Sequence, residues 1–168
     1  MKIRKPKREE YDAVAVVVNS ELDLYRTVLS QKKLKEICVG GFTKKDLIEG
    51  EAIRNYLIVT EDKKIVGFIS WYKKPNKAVW ISMLQVDAKH RNQGIGSLLL
   101  KRVEKIARKN GARVIALEVQ RRAYWAVDFY KFNRYFILSE KDLNKEPFKN
   151  TLSKPPVKNT FIFGKKID

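Results

Sequence analysis

The stretch His90-Arg91-Asn92-Gln93-Gly94-Ile95-Gly96-Ser97-Leu98-Leu99-Leu100 sets two glycines between a basic, polar run and an apolar run with helical spacing. A helix begins with about four backbone N–H groups that lack a partner within it and with the positive end of its dipole, so it offers a place for an anion. Successive amides reach one phosphate only where no side chains stand in front of them. Gly94 and Gly96 remove those side chains, and Arg91 adds a cation able to pair with phosphate oxygens. The chemistry expected here is the capture of a phosphate group, in particular a diphosphate. The loop of ATP-binding proteins requires Gly-Lys-Ser/Thr, whereas Ser97-Leu98 follow Gly96 here. The dinucleotide fingerprint requires a third glycine where Leu99 stands and an opening βαβ unit, whereas this loop lies mid-chain after a hairpin. Both patterns fail.

A second chemically capable residue is Glu118, a carboxylate inside the otherwise apolar Leu117-Glu118-Val119. Elsewhere the composition mainly excludes. Cys38 is the only cysteine, so no internal disulfide forms, and with His90 as the only histidine the ligands of a transition-metal centre are missing; no metal is expected. Lys and Arg number 36 against 19 Asp and Glu, a net charge of +17. A field of that sign attracts phosphate on a nucleic acid, an anionic lipid or a phosphorylated cofactor, and it equally suits a solvated lysine-rich surface; charge alone does not choose. The cations are scattered rather than gathered into a long run, which argues against a disordered nucleic-acid arm.

These residues need elements to position them. A short strand at Met1 to Arg4 is followed by an amphipathic helix from Pro6 carrying Tyr11, Val14, Val17 and Val18. Leu22 to Ile37 reads as a second helix stopped by Gly40-Gly41, with a further helical turn around Lys45 to Ile48. Tyr56–Thr60 and Ile65–Tyr72 form a hairpin around the four-residue polar loop Glu61-Asp62-Lys63-Lys64, and Ala78–Val86 adds an antiparallel third strand. After the glycines, Leu99, Val103, Ile106 and Ala107 mark a helix that ends at Asn110-Gly111. A strand at Arg113–Val119 then implies a right-handed crossover and a parallel pair. Ala123–Phe132 reads as a helix, Tyr135–Leu138 as a strand, Lys141 to Asn159 as a long connection and Thr160–Phe163 as a closing strand. The 168 residues suit one domain over 1–168 with a substantial core. The amino terminus lacks a signal-length apolar run and no segment approaches the roughly 20 apolar residues of a membrane span, so a cytoplasmic protein is expected.

Val86 through Leu99, with its Arg-x-x-Gly-x-Gly core, resembles the acetyl-coenzyme A segment of the GCN5-related N-acetyltransferases, and the order of elements around it is compatible. The resemblance implies an α/β (α+β) fold with a central mixed, mostly antiparallel, twisted sheet of six to seven strands flanked by about four helices. It implies that Arg91-Asn92-Gln93-Gly94-Ile95-Gly96-Ser97 holds the coenzyme diphosphate, and that Leu84, Gln85 and Val86 offer backbone hydrogen bonds to the pantetheine arm as their strand splays from the next. Leu117-Glu118-Val119 resembles the Leu-Glu-Val of members that acetylate protein amino termini, ribosomal proteins included, in which the glutamate is the base. Tyr130, twelve residues later in Phe129-Tyr130, matches the tyrosine that protonates the coenzyme thiolate and contacts the coenzyme. Two positions depart: Ala123 stands where the family has Asn, and Arg134-Tyr135 where it has Gly-Phe. No tyrosine occurs between Lys141 and Asn159, where the amino-terminal subgroup often has them.

The activity implied is acetyl-CoA-dependent transfer to an amine of a protein or small molecule, by direct attack in a ternary complex, in a monomer or homodimer. The alternative is an RNA- or ribosome-associated basic module on the same fold with weak or no transferase activity. Gln120-Arg121-Arg122 with Tyr124-Trp125 forms a cationic, aromatic cluster that suits a 3'-phosphate, an acidic substrate or nucleic acid, or else a solvated helix start.

Overall fold

The computed structural model describes residues 1–36, 41–152 and 155–167; Ile37, Cys38, Gly40 and residues 153–154 of the long connection lie outside them. Seven strands are hydrogen-bonded in the order β1-β2-β3-β4-β5-β7-β6, a mixed and mostly antiparallel sheet. Four described helices have seven residues or more, which matches the expected architecture. The chain groups into two compact units, Met1–Trp71 with Met83–Lys101, and Tyr72–Ser82 with Arg102–Asp168.

In the first unit, β1 (Lys2–Arg4) pairs antiparallel with β2 (Asn55–Glu61), and β2 with β3 (Lys64–Lys73). The hairpin is tighter than expected. Glu61 pairs with Lys64, leaving only Asp62 and Lys63 in the turn, with φ of 46° and 65°. Two successive left-handed residues match the twist of the flanking strands, so the outer two loop residues are drawn into the ladder. Helix α1 (Tyr11–Asn19) starts later than Pro6, behind a 3-10 turn at Arg8–Glu10, because the Glu10 carboxylate accepts from the Lys7 N–H at 2.8 Å and from Arg4 at 2.5 and 2.7 Å. Tyr11, Val14 and Val17 share one face of α1 and pack with Ile58 and Phe68 of the sheet. Burying each such side chain contributes roughly 1.5–3 kcal/mol.

The helix expected over Leu22–Ile37 is two: α2 (Leu22–Arg26) and α3 (Gln31–Glu36). Thr27 Oγ1 donates to the Leu24 carbonyl at 2.7 Å, the local competition with the helical ladder that makes Thr a poor interior residue. The short α4 (Lys44–Gly50) follows; Thr43 closes its start by donating from N–H and hydroxyl to Asp46.

Strand β4 (Ala78–Val86) begins in the second unit, and helix α5 (Ile95–Lys109) enters it at Arg102. There β4 pairs parallel with β5 (Val114–Gln120) at Ala78↔Val114, Val79↔Ile115 and Trp80↔Ala116, the parallel pair expected of the crossover. Among the described residues of this unit the ladder stops there, although Ile81, Ser82, Leu117 and Glu118 are still strand. Strand β5 instead keeps β7 (Thr160–Lys166) along its whole length, and β7 carries the short β6 (Phe136–Ile137) on its other side. Along the chain α6 (Tyr124–Phe132) lies between β5 and β6, and the long connection holds the single turn α7 (Glu140–Leu143).

The end of α6 explains one departure from the family pattern. The Tyr135 N–H donates to the Tyr130 carbonyl at 3.0 Å and the Arg134 N–H to the Lys131 carbonyl at 2.9 Å, the paired bonds of a Schellman cap. The first of the two donors must be left-handed, and Arg134 has φ of 64°. Arginine therefore does there what glycine does without strain. Arg134→Gly should stabilise the protein by about 0.5–1 kcal/mol, raising Tm by roughly 1–4 °C in a thermal melt.

Candidate active site

The glycine loop is built within the first unit. Asp87 fixes the entry: its N–H donates to the Val66 carbonyl at 3.0 Å, its carboxylate accepts from the Lys89 N–H at 3.1 Å, and Oδ2 lies 2.6 Å from His90 Nδ1. His90 Nε2 is 3.9 Å from Glu61 Oε2, so the only histidine sits half-buried between two carboxylates. The chain then turns through left-handed Asn92, φ 62°, and Gly94, φ 78°. Gln93 is exposed and reaches the Lys89 carbonyl at 3.5 Å.

Helix α5 starts at Ile95, and Leu98 N–H bonds the Gly94 carbonyl at 3.0 Å. The internal ladder thus opens at Leu98, with the amides of Ile95, Gly96 and Ser97 ahead of it. A Cβ on Gly94 would meet nothing within 4 Å, so open space lies beside the loop, as a diphosphate cradle requires. The first turn of α5 is seated by Gly67 of β3, where a Cβ would stand 2.7 Å from Ile95 Cγ2 and 3.2 Å from Leu99 Cδ1. Bare strand backbone lets Ile95 and Leu99 sink into the core and holds the helix start against the sheet.

Arg91 is placed differently from a free phosphate ligand. Its guanidinium grips Asp23 of α2 with two bonds of 3.0 Å and donates to the Ser20 carbonyl at 2.8 Å. The hydrogen bond from Arg91 lowers the Asp23 pKa below the usual carboxylate range. Arg91 therefore fastens the loop to the turn between α1 and α2 through a bidentate pair. Leu84, Gln85 and Val86 close β4, all half-buried. Gln85 Nε2 donates to Glu21 at 3.4 Å, and Gln85 Oε1 is buried without a partner.

Glu118 and Tyr130 belong to the second unit. Glu118 Oε1 accepts from the Val157 N–H and lies 2.5 Å from Thr160 Oγ1. That hydroxyl is also 2.6 Å from the Val157 carbonyl and has one proton for the two acceptors. One carboxylate oxygen thus pins the chain that leads into β7. Tyr130 is 7% exposed, with its ring 5.1 Å from Phe129, 5.7 Å from Tyr135 and 5.9 Å from Phe163, centroid to centroid. Ala123, where the family has Asn, is fully buried before α6 and gives no side-chain cap. In the cationic cluster Arg121 is committed to β7, lying 4.4 Å over the Phe161 ring and donating to the Thr160 carbonyl at 3.1 Å; Arg122 and Tyr124 are exposed and Trp125 is half-buried.

Sequence reasoning missed Asp23 and Ser20, which lie 68 and 71 residues from Arg91 and carry no motif. It also missed Glu104, although that residue left a trace as the one acid among the cations of α5. Among the described residues no three His, Cys, Asp or Glu gather as a metal site, and no helix is long and apolar enough to cross a membrane.

The profile of the acetyltransferase (GNAT) family matches residues 21–133. A Bacillus subtilis protein described as the uncharacterized N-acetyltransferase YjcF is 33% identical over 97 residues, covering 58% of this chain and 65% of that one, just under two thirds of that relative's length. The PaiA N-acetyltransferase of Thermoplasma acidophilum, solved in complex with coenzyme A, has a TM-score of 0.77 at 20% identity over 98% of both chains. The ribosomal-protein-S18-alanine N-acetyltransferase of Escherichia coli has a TM-score of 0.67 at 14% identity, over 99% of this chain and 93% of that one. At these identities the two solved structures establish likeness of fold. The family profile runs through the glycine loop and on past Tyr130, and on that match the chain belongs to the acetyltransferase (GNAT) family.

Proposed function

We propose that residues 1–168 act as one acetyl-CoA-dependent N-acetyltransferase domain that moves an acetyl group to an amine by direct attack in a ternary complex. The observation that carries this reading is the loop itself: amides ahead of Leu98, left-handed Gly94, and open space beside it. Acetyl-coenzyme A supplies the thioester. The amides from Gly94 to Ser97 bind its diphosphate, Asn92 and Gln93 shape the turn before them, and Arg91 holds that turn in place through Asp23. Backbone groups of Leu84, Gln85 and Val86 orient the pantetheine arm.

A lysine-like amine has a pKa of roughly 10.4 and an α-amine about 8, so both arrive mostly protonated at neutral pH. Glu118 takes that proton, directly or through water, using the oxygen that does not hold Val157 and Thr160. The amine nitrogen then bonds to the acetyl carbon, the carbon–sulfur bond breaks, and Tyr130 gives its phenolic proton to the departing sulfur. No nucleophilic side chain is required.

The test is twofold. Acetyl-CoA at about 100 times its Kd should raise Tm by roughly 5–10 °C; no shift at saturation ends the proposal. Tyr130→Phe should lower kcat about 10- to 30-fold with KM for acetyl-CoA within about twofold, a modest loss because a thiolate leaves tolerably well without an acid.

A second reading is favoured by one observation. Lys101, Arg102, Lys105, Arg108 and Lys109 all stand exposed on α5, and among the described residues only Arg108 carries a structural bond, to the Ile167 carbonyl at 2.5 Å. Such a face suits RNA or a ribosomal surface, either as the chain's main role or as the means of bringing the transferase to its acceptor. Steeply salt-dependent RNA binding without acetyl transfer would select the binding module.

A further inference from the structure

We propose that Tyr135, held by Glu104 and Lys165, is a positioning residue for Tyr130: it fixes the ring that protonates the departing sulfur. The inference rests on the reading of Tyr130 as the acid. Tyr130 occupies the last turn of α6, where a helix normally frays. Here that turn is fastened twice. Tyr135 returns its N–H to the Tyr130 carbonyl at 3.0 Å and packs its ring edge-on to the Tyr130 ring, at 5.7 Å and 69°. The Tyr135 hydroxyl donates to Glu104 Oε1 at 3.1 Å, and Lys165 Nζ donates to the same oxygen at 2.8 Å. Lys165 also donates to the Asn133 carbonyl at 3.1 Å, one residue past the end of α6, and its ammonium lies 5.2 Å from the centre of the Tyr135 ring.

The network ties the end of α6 to α5 through Glu104 and to β7 through Lys165. Its direction is fixed: burial and the neighbouring Glu104 raise the Tyr135 phenol well above its ordinary range, so it remains the donor. Glu104 is buried and Lys165 three-quarters so. A buried ion pair of this kind is rarely more stabilising than well-packed apolar residues of the same volume, and its demonstrable advantage elsewhere is geometric definition. A family phenylalanine at position 135 would fill the same space. The hydroxyl adds a bond with a set direction, and the ring that it orients is the one touching Tyr130.

The experiment is a double-mutant cycle on the full chain. Thiol release from acetyl-CoA is followed with ethanolamine, 1,4-diaminobutane and an N-terminally free hexapeptide as acceptor probes. Tyr135→Phe should lower kcat about 5- to 10-fold, leave KM for acetyl-CoA within about twofold and keep the coenzyme-induced rise in Tm. In a Tyr130→Phe background the same change should cost less than about 1.5-fold, because there is no acid left to position. Lys165→Arg preserves the ion pair and should stay within about twofold of wild type. Losses that multiply in the double variant, or Tyr135→Phe at the wild-type rate, overturn the inference. Tyr130→Phe at the wild-type rate overturns the acid reading first, and the inference with it. Should Tyr135→Phe fold poorly, Glu104→Met takes the acceptor away from the hydroxyl at similar side-chain volume, and the same non-multiplicative loss with Tyr130→Phe is required of it.

Discussion

Glu118→Gln should lower kcat by about 100-fold or more while leaving Tm within about 2 °C of wild type. The two outcomes separate because the side chain has two duties at two oxygens. Oε1 receives the Val157 N–H and stands 2.5 Å from the Thr160 hydroxyl, and a glutamine amide oxygen accepts the same bonds. The amide cannot take a proton from an ammonium acceptor. Glu118→Ala should instead lose both duties and release the segment leading into β7, with a fall in Tm as well as in rate, because the Val157 N–H and the Thr160 hydroxyl lose their shared carboxylate acceptor, at about 1 kcal/mol per bond. The pH profile gives a further check. The wild-type dependence of kcat/KM on a basic group should vanish in the Gln variant, and raising the pH to deprotonate the amine should recover part of the rate. If Glu118→Gln keeps full activity while Glu118→Ala destabilises, the residue is an anchor of the closing strand and the base lies elsewhere.

What could be read in the residue order divides along the range of the forces involved. The β-branched runs of β2 and β3, the apolar spacing of α5 and the Asn110-Gly111 stop are local patterns, and each element formed where it was expected; Gly111 has φ of 76° at that stop. The glycine loop was legible for the same reason, since bare amides at a helix start need particular residues at fixed spacing. Less legible were reversals made without glycine. Lys63 and Arg134 are left-handed, and nothing in their side chains announces it. The break at Thr27 was hidden inside a run with good helical periodicity, and only the structure shows its hydroxyl turned to the Leu24 carbonyl. Least legible were the partners of the site residues. Arg91 looked like a free cation and is spent on Asp23; Glu118 looked like a lone strand carboxylate and is spent in part on Val157 and Thr160. Such pairs join residues tens of positions apart and leave no period in the sequence. They reveal themselves only when the strands and helices between them have been placed.

Gly94→Leu should abolish the acetyl-CoA-induced rise in Tm, which corresponds to at least about a 100-fold loss of affinity, or about 2.7 kcal/mol. Two effects act together at this position. With φ of 78° the backbone is left-handed, a conformation that costs a branched or bulky side chain about 1–2 kcal/mol. The Cβ would point into space with no protein atom within 4 Å, beside the amides that precede Leu98, so the remaining leucine atoms would occupy the place assigned to the diphosphate. A fall in stability alone could be mistaken for the first effect, and the protein contains its own control. Gly111 closes the other end of α5 with φ of 76°, and a Cβ there also meets nothing within 4 Å. Gly111→Leu carries the same backbone penalty and the same solvent-facing side chain, at the end of the helix where its dipole repels an anion. Both variants should therefore melt a few degrees below wild type in the absence of ligand, and only the Gly111 variant should regain stability when acetyl-CoA is added. Equal rescue of the two would mean that the coenzyme diphosphate is not held by the loop amides, whatever else the chain binds.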